Sequence, residues 1–114
     1  METLKNRRIR QLLKTGNSFK TKHLIVVWQE NNLGQPRFAF IISRKFSKKA
    51  VERNRVKRVI KEALRLYGDS LRNLGYDIIL IPKKEIFGKK TWQLADDIKM
   101  IGQILEKNVK KDRS

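Results

Sequence analysis

The run Arg53-Asn54-Arg55-Val56-Lys57-Arg58 packs four cations and one amide into six consecutive positions, with Lys61 and Arg65 one and two helical turns further on. Arginine can fork onto two phosphate oxygens or lie flat on a base, and lysine offers a mobile point charge. Asn54 adds a donor and an acceptor for a base edge or a 2′-hydroxyl, which no cation can provide. At ~100° per residue, Lys57, Lys61, Asn54, Arg65 and Arg58 share one arc of a helix. Arg53 falls at the edge of that arc, and Arg55 and Glu62 on the opposite flank. Like charges four apart, such as Arg53 with Lys57 and Lys57 with Lys61, destabilise a helix, and Glu62 is the one counter-ion within reach on the same helix. A solvated basic face is the ordinary fate of a charge run. Crowding of this kind points instead to a polyanion that offsets the repulsion.

Residues for catalysis are scarce. Phosphodiester hydrolysis by a protein needs clustered carboxylates holding metal, or an acid/base pair. His23 is the single histidine; it is read as structural or RNA-contacting. Asp96 and Asp97 are neighbours on a helix and point ~100° apart, too divergent to build a two-metal site alone. Glu52 and Glu62 lie in a cationic field and serve as ion-pair partners. There are no cysteines, hence no thiolate nucleophile and no cysteine zinc site, and no glycine-rich phosphate loop is present. The expectation is a binding protein with no catalytic residue and no protein-held metal.

The whole chain carries the same sign. Its 28 Lys plus Arg against 11 Asp plus Glu leave a net charge of +17 over 114 residues. A field that repels itself so strongly fits RNA, DNA or an anionic membrane surface as partner. The longest apolar runs, 24–28 and 38–42, fall far short of the ~20 residues that span a bilayer. The N-terminal positive charge is followed by no apolar block, so no secretory signal is expected. Charge spread along the chain, and not confined to one amphipathic segment, favours nucleic acid over a membrane. Absence of cysteine fits a reducing, cytoplasmic location. With neither repeat nor linker, residues 1–114 are expected to form one domain.

The elements that must position the basic run follow from periodicity. A first helix is expected over about Leu4 to Lys14, with Leu4, Leu12 and Ile9 or Leu13 supplying apolar contacts and Gly16-Asn17 stopping it. Lys22 to Gln29 reads as a strand, Asn31-Asn32-Leu33-Gly34 as a turn, and Arg37 to Ser43 as a second strand that bends or splits near Ser43-Arg44-Lys45. The basic run sits in a helix over about Lys48 to Leu66, whose apolar stripe is Val56, Val59, Ile60, Ala63, Leu64 and Tyr67. Tyr76 to Ile81 reads as a buried strand. A last helix, capped by Thr91 and running to about Asn108, buries Leu94, Ile98, Ile101 and Leu105; Trp92 is expected to anchor its start in the core. Asp96 and Asp97 near its beginning and Lys107, Lys110 and Lys111 near its end match the helix dipole. The order α-β-β-α-β-α, with one more strand if Arg37 to Lys45 splits, is an α+β sandwich of helices on a small mixed sheet.

The segment from Phe40 to Arg65 closely resembles the signature of the protein subunit of bacterial ribonuclease P. Both show a strand ending in a basic Ser43-Arg44-Lys45 type triplet, a basic connector, the Arg53-Asn54-Arg55-x-Lys57-Arg58 helix, and Lys61-Glu62 shortly after. The basic first helix, the first strand, Gly75-Tyr76-Asp77-Ile78-Ile79 and a C-terminal helix follow in the family's order, so the resemblance covers nearly the whole chain. It implies a left-handed βαβ crossover, against the usual right-handed rule. It also implies a non-catalytic protein component of the endoribonuclease that removes the 5′ leader from precursor tRNA. The RNA subunit cleaves, with magnesium ions bound mainly by RNA, and the partners are the catalytic RNA and the precursor tRNA leader, with no membrane and no obligatory protein partner. The matching RNA-binding positions are Arg53, Asn54, Arg55, Lys57, Arg58 and Lys61, extended by Arg65, Arg44 and Lys45.

The family also holds the single-stranded leader in a cleft between first helix and sheet. Ile9, Leu13, Val27 and Phe40 are the candidates to line it here. Where the family often has aromatic rings, this chain has Ile9, Leu13 and Val27, and plain core packing is an equal reading of the three. Rings stack on bases for about 1–3 kcal/mol each. Either the cleft relies on charge and van der Waals contact, or Phe19, Trp28, Phe38 or Phe40 supplies the rings. Lys61, where arginine is common, keeps the charge and loses the fork. A ribosomal protein or RNA chaperone would share the charge without the cleft, and a stand-alone nuclease would need the catalytic constellation that is missing.

Overall fold

The two apolar runs that read most clearly as strands pair with each other at the centre of one sheet. The computed structural model describes residues 2–112 and gives the order β1 (Glu2–Thr3), α1 (Asn6–Thr15), β2 (Asn17–Lys20), β3 (Leu24–Glu30), β4 (Arg37–Phe40), α2 (Ala50–Tyr67), β5 (Tyr76–Pro82) and α3 (Ala95–Asp112). The five strands lie in the order β1-β4-β5-β3-β2. β3 is antiparallel to both β5 and β2, whereas β4 runs parallel to β5 and to the short β1. The basic helix α2 is therefore the crossover between adjacent parallel strands, and the architecture is the expected α+β sandwich on a mixed sheet.

Alternation along the strands divides the interior into two layers. β5 sends Tyr76, Ile78 and Leu80 to one face, where they meet Leu24 and Val26 of β3, Phe38 of β4, Val56, Ile60, Ala63 and Leu64 of α2, and Leu94, Ile98, Ile101 and Leu105 from the C-terminal region. Ile79 points the other way, into a smaller cluster with Val27, Ala39, Leu4 and Leu12 under α1. The stripes foreseen on the second and third helices are thus the faces they bury. Val59 and Tyr67 pack at the edge of the larger cluster.

Several boundaries differ for physical reasons. Leu4 is buried but precedes α1, because its N–H is donated to the Phe38 carbonyl beside β1. Arg37 to Ser43 does not split: β4 ends at Phe40 and residues 44–46 form a turn. The two additional strands are instead the short β1 and β2, the latter placed straight after α1. Gly16 makes that junction possible, because a β-carbon there would lie 2.6 Å from the Leu12 carbonyl oxygen. The Asn31–Gly34 turn forms as read, with Asn32 and Gly34 at positive φ and the Leu33 N–H donated to Asn31 Oδ1. Thr91 does not cap the last helix. It opens a 3₁₀ turn over Thr91–Leu94, after Lys90, whose N–H is donated to Gln93 Oε1 at 2.8 Å, and α3 follows from Ala95. Lys110 and Lys111 lie outside the residues whose side chains are described. No helix among the described residues is long and apolar enough to cross a membrane.

Candidate nucleic-acid interface

With Val56, Ile60, Ala63 and Leu64 turned into the core, geometry leaves Asn54, Arg55, Lys57, Arg58, Lys61 and Arg65 on the solvent side of α2, all exposed. An open trough of about 760 Å³ runs along this side, lined by Arg55, Arg58, Val59, Lys61, Glu62 and Arg65 together with Thr3 and Thr91. Arg55, which helical phase assigns to the flank opposite Arg58 and Lys61, shares the trough with them. Asn54 and Lys57 stand exposed beside it. Lys61 extends its ammonium over the Phe40 ring, 5.6 Å from the centroid, which restrains a side chain that would otherwise sweep freely.

Counter-ions on this face are few. Arg65 forks onto Glu62, its Nε donating at 3.0 Å and its terminal nitrogen to the other oxygen. That hydrogen bonding holds the Glu62 carboxyl below the usual carboxylate range and raises the Arg65 guanidinium further. Both ends meet solvent, where water screens the attraction, so Arg65 can exchange Glu62 for a phosphate at little cost.

Arg53 differs from its neighbours. It is half-buried and donates to the Ser47 carbonyl at 2.8 Å. Ser47 Oγ in turn donates to Glu52 at 2.7 Å and accepts the Lys49 N–H at 3.2 Å. These bonds tie the connector from β4 to the first turn of α2, where the charge on Glu52 also suits the helix dipole. Arg44 and Lys45 are exposed on the turn ahead of that connector.

On the α1 side of the sheet the structure corrects one of the four residues expected to line the cleft, Phe40. Val27 is buried, Ile9 packs on its cluster, and Leu13 is about half exposed. Phe40 does not join them. Strand parity places it on the α2 face, as it does Phe38, Phe19 and Trp28. The cluster under α1 holds only aliphatic side chains among the described residues, so none of the four candidate rings reaches it.

A polar network that the sequence reading passed over fastens α1 to this face. Asp77, fully buried in β5, accepts Arg8 Nε at 2.6 Å and Arg37 Nη2 at 2.8 Å on one oxygen, and Arg37 Nε at 2.8 Å and Asn31 Nδ2 at 3.0 Å on the other. Arg8 also donates to Gln29 Oε1 and to the Glu30 carbonyl. Burial alone pushes the Asp77 carboxyl up, but hydrogen bonds from Arg37, Asn31 and Arg8 outweigh it and leave it below its ordinary value. One acid inside an otherwise apolar strand was the signal available, since buried carboxylates require partners.

His23 is buried rather than displayed to a ligand. Its Nδ1 lies 2.8 Å from Asp97 Oδ1, and Asp97 Oδ2 accepts the His23 N–H at 2.8 Å and the Thr21 hydroxyl at 2.5 Å. This network joins the start of β3 to α3. Among the described residues no three His, Cys, Asp or Glu converge as a metal site; Asp77 and Asp97, the buried carboxylates, are committed to internal partners. Neither of these two buried carboxylates is thus free to hold a magnesium ion. Trp92, expected in the core, is 66 % exposed, while Leu94 two residues later is buried as read.

Comparison with known proteins bears on the family and the fold. A family model described as Ribonuclease P matches residues 2–106. The chain is 32 % identical over 94 residues to the ribonuclease P protein component of Pelotomaculum thermopropionicum, spanning 82 % of each chain. With that of Clostridium kluyveri the identity is 34 % over 96 residues, spanning 83 % of this chain and 85 % of the other. In three dimensions it superposes on the RNase P protein from Thermotoga maritima with a TM-score of 0.76 and 26 % identity, covering 89 % of this chain and 94 % of that one. The Staphylococcus aureus RNase P protein gives 0.74 and 25 %, with 90 % and 93 % covered.

Proposed function

The chain belongs to the ribonuclease P protein family, and on that premise we propose that it binds the catalytic RNA of ribonuclease P through α2 and supports removal of the 5′ leader from precursor tRNA. The observation that carries this reading is the trough on α2, where Arg55, Arg58, Lys61 and Arg65 face solvent together with Glu62 as the acid among them. Phosphates of a folded RNA would take the place of the missing counter-ions. Each neutralised phosphate releases condensed cations, so the complex is strongly salt-dependent. Asn54 and Lys57 beside the trough, with Arg44 and Lys45 ahead of the helix, extend the footprint. Arg53 contributes by holding the connector in place.

The α1 side of the sheet is the proposed seat of the leader. Its floor is aliphatic, with Ile9 and Val27 in the floor and Leu13 at the rim, so contact there is van der Waals and electrostatic in character. The chemistry belongs to the RNA, with magnesium held by RNA phosphates. The protein's part is to bind, to orient, and to screen phosphate repulsion.

The test is maturation of a precursor tRNA by a bacterial ribonuclease P RNA at low magnesium, with and without this protein. The protein alone is expected to leave the substrate intact, and addition to the RNA is expected to restore cleavage at the leader junction. No stimulation would assign the basic face to another structured RNA. Cleavage by protein free of RNA would overturn RNA-borne catalysis.

A further inference from the structure

The connector from β5 to α3 alternates lysines with rings: Lys84, Phe87, Lys89, Lys90 and Trp92. It is an ordered segment. Ile86 and Leu94 sink into the core at 2 % and 0 % exposure, 3₁₀ turns cover Lys84–Ile86 and Thr91–Leu94, and Gly88 turns the chain at φ 74°. Between these anchors, Phe87 lays one face on Phe46, with centroids 4.5 Å apart and planes 8° from parallel. Trp92 remains 66 % in water.

Single exposed apolar residues are common and need no explanation. Trp92 is set apart by its surroundings. The turn that carries it packs on α2, and the adjacent Thr91 lines the same trough as Arg55 and Arg58. An exposed flat ring, carried on an anchored turn next to a residue of the cationic channel, suits a ligand that has both a polyanionic backbone and π-faces, which is single-stranded nucleic acid. A protein partner or a membrane would not need that pairing of ring and channel.

We propose that Trp92 is a stacking platform for an unpaired base of the RNA whose backbone lies along α2. This rests on the RNA-binding reading above and adds to it a contact that acts through stacking, not charge. The base comes either from the catalytic RNA or from the precursor tRNA, and the experiment separates these sources.

The two tryptophans make the test direct. Trp28 is half-buried, edge-to-face on Tyr76 at 5.2 Å, and so reports the fold; Trp92 reports the ligand. The full chain labelled with 5-fluorotryptophan gives one ¹⁹F resonance for each and avoids any mutation at Trp28. Titration is with a bacterial ribonuclease P RNA transcript, with precursor tRNA, and with mature tRNA lacking the leader. Saturating binding is expected to shift the Trp92 resonance and protect its indole from acrylamide, with the Trp28 resonance unmoved. Whichever RNA does this is the source of the base. Trp92→Ala is expected to weaken that complex about 5- to 150-fold, the range of one base–aromatic stack, at an unchanged salt slope, and Trp92→Phe to recover most of the loss. Binding with a silent Trp92 resonance, or an undiminished affinity in Trp92→Ala, overturns the stacking role and leaves the RNA-binding reading standing. Failure of the wild-type chain to bind any of the three RNAs overturns both.

Discussion

Replacing Asp77 with Asn removes one negative charge while nearly preserving the side chain's shape. In the wild type the carboxylate accepts the four hydrogen bonds from Arg8, Arg37 and Asn31 at 2.6–3.0 Å. The amide offers one oxygen in place of two and turns its NH₂ toward donors. Removing one partner of a fully buried ion pair costs about 3–5 kcal/mol. Here the carboxylate is fully buried, but Arg8 and Arg37 are 21 % and 30 % exposed, so water recovers part of that loss. The expected destabilisation is about 2–4 kcal/mol, roughly 8–20 °C in Tm for a domain of this size.

The pH dependence of that difference is also defined. Burial pushes the Asp77 carboxyl up and the hydrogen bonds from Arg37, Asn31 and Arg8 more than reverse it, so the folded value lies below the unfolded one. Its contribution is fully present above the unfolded value of about 3.9 and is lost as pH falls through the folded value. Urea unfolding of wild type and variant, followed by Trp28 emission in a Trp92→Phe background, is to be measured from neutral pH down to the acid limb. The gap is expected to hold constant at neutral and mildly acidic pH and to close in strong acid. Precursor tRNA binding should weaken with it, because Arg8 loses the contact that fastens α1 over the sheet. A gap under about 1 kcal/mol, or one unchanged through the carboxylate range, would refute the account.

Two further substitutions probe the other layers of the molecule. Arg58→Ala, at an exposed position of the trough, should leave stability nearly unchanged and reduce the salt slope of catalytic-RNA binding by about one phosphate contact; filter binding at several salt concentrations measures it. Asp97→Ala strips the buried acceptor from Thr21 and from both His23 donors. It should destabilise by about 2–4 kcal/mol in urea titrations, with RNA affinity at low denaturant little altered.

Local order carries the sequence-legible part of this protein. Helical spacing displays the stripe of α2 and the cationic arc beside it, and strand alternation marks β3 and β5. The basic hexapeptide following a strand is specific enough to indicate the family. These patterns are properties of consecutive residues, and propensity and periodicity act over that range.

Tertiary structure decided what depends on distant partners. Asn-Ser-Phe-Lys carries no strand pattern, and β2 exists because β3 offers it an unpaired edge. Phe40 reads as cleft lining until the β4–β5 register, pairing it with Leu80, assigns it to the α2 face; a shift of one residue would have reversed this. Asp77 and Arg8 stand 69 positions apart, and Trp92 lies outside the core because Thr91–Leu94 winds as a 3₁₀ turn and not as the first turn of α3. Which face a side chain joins is settled by pairing across the sheet, and that information lies in no window of neighbouring residues.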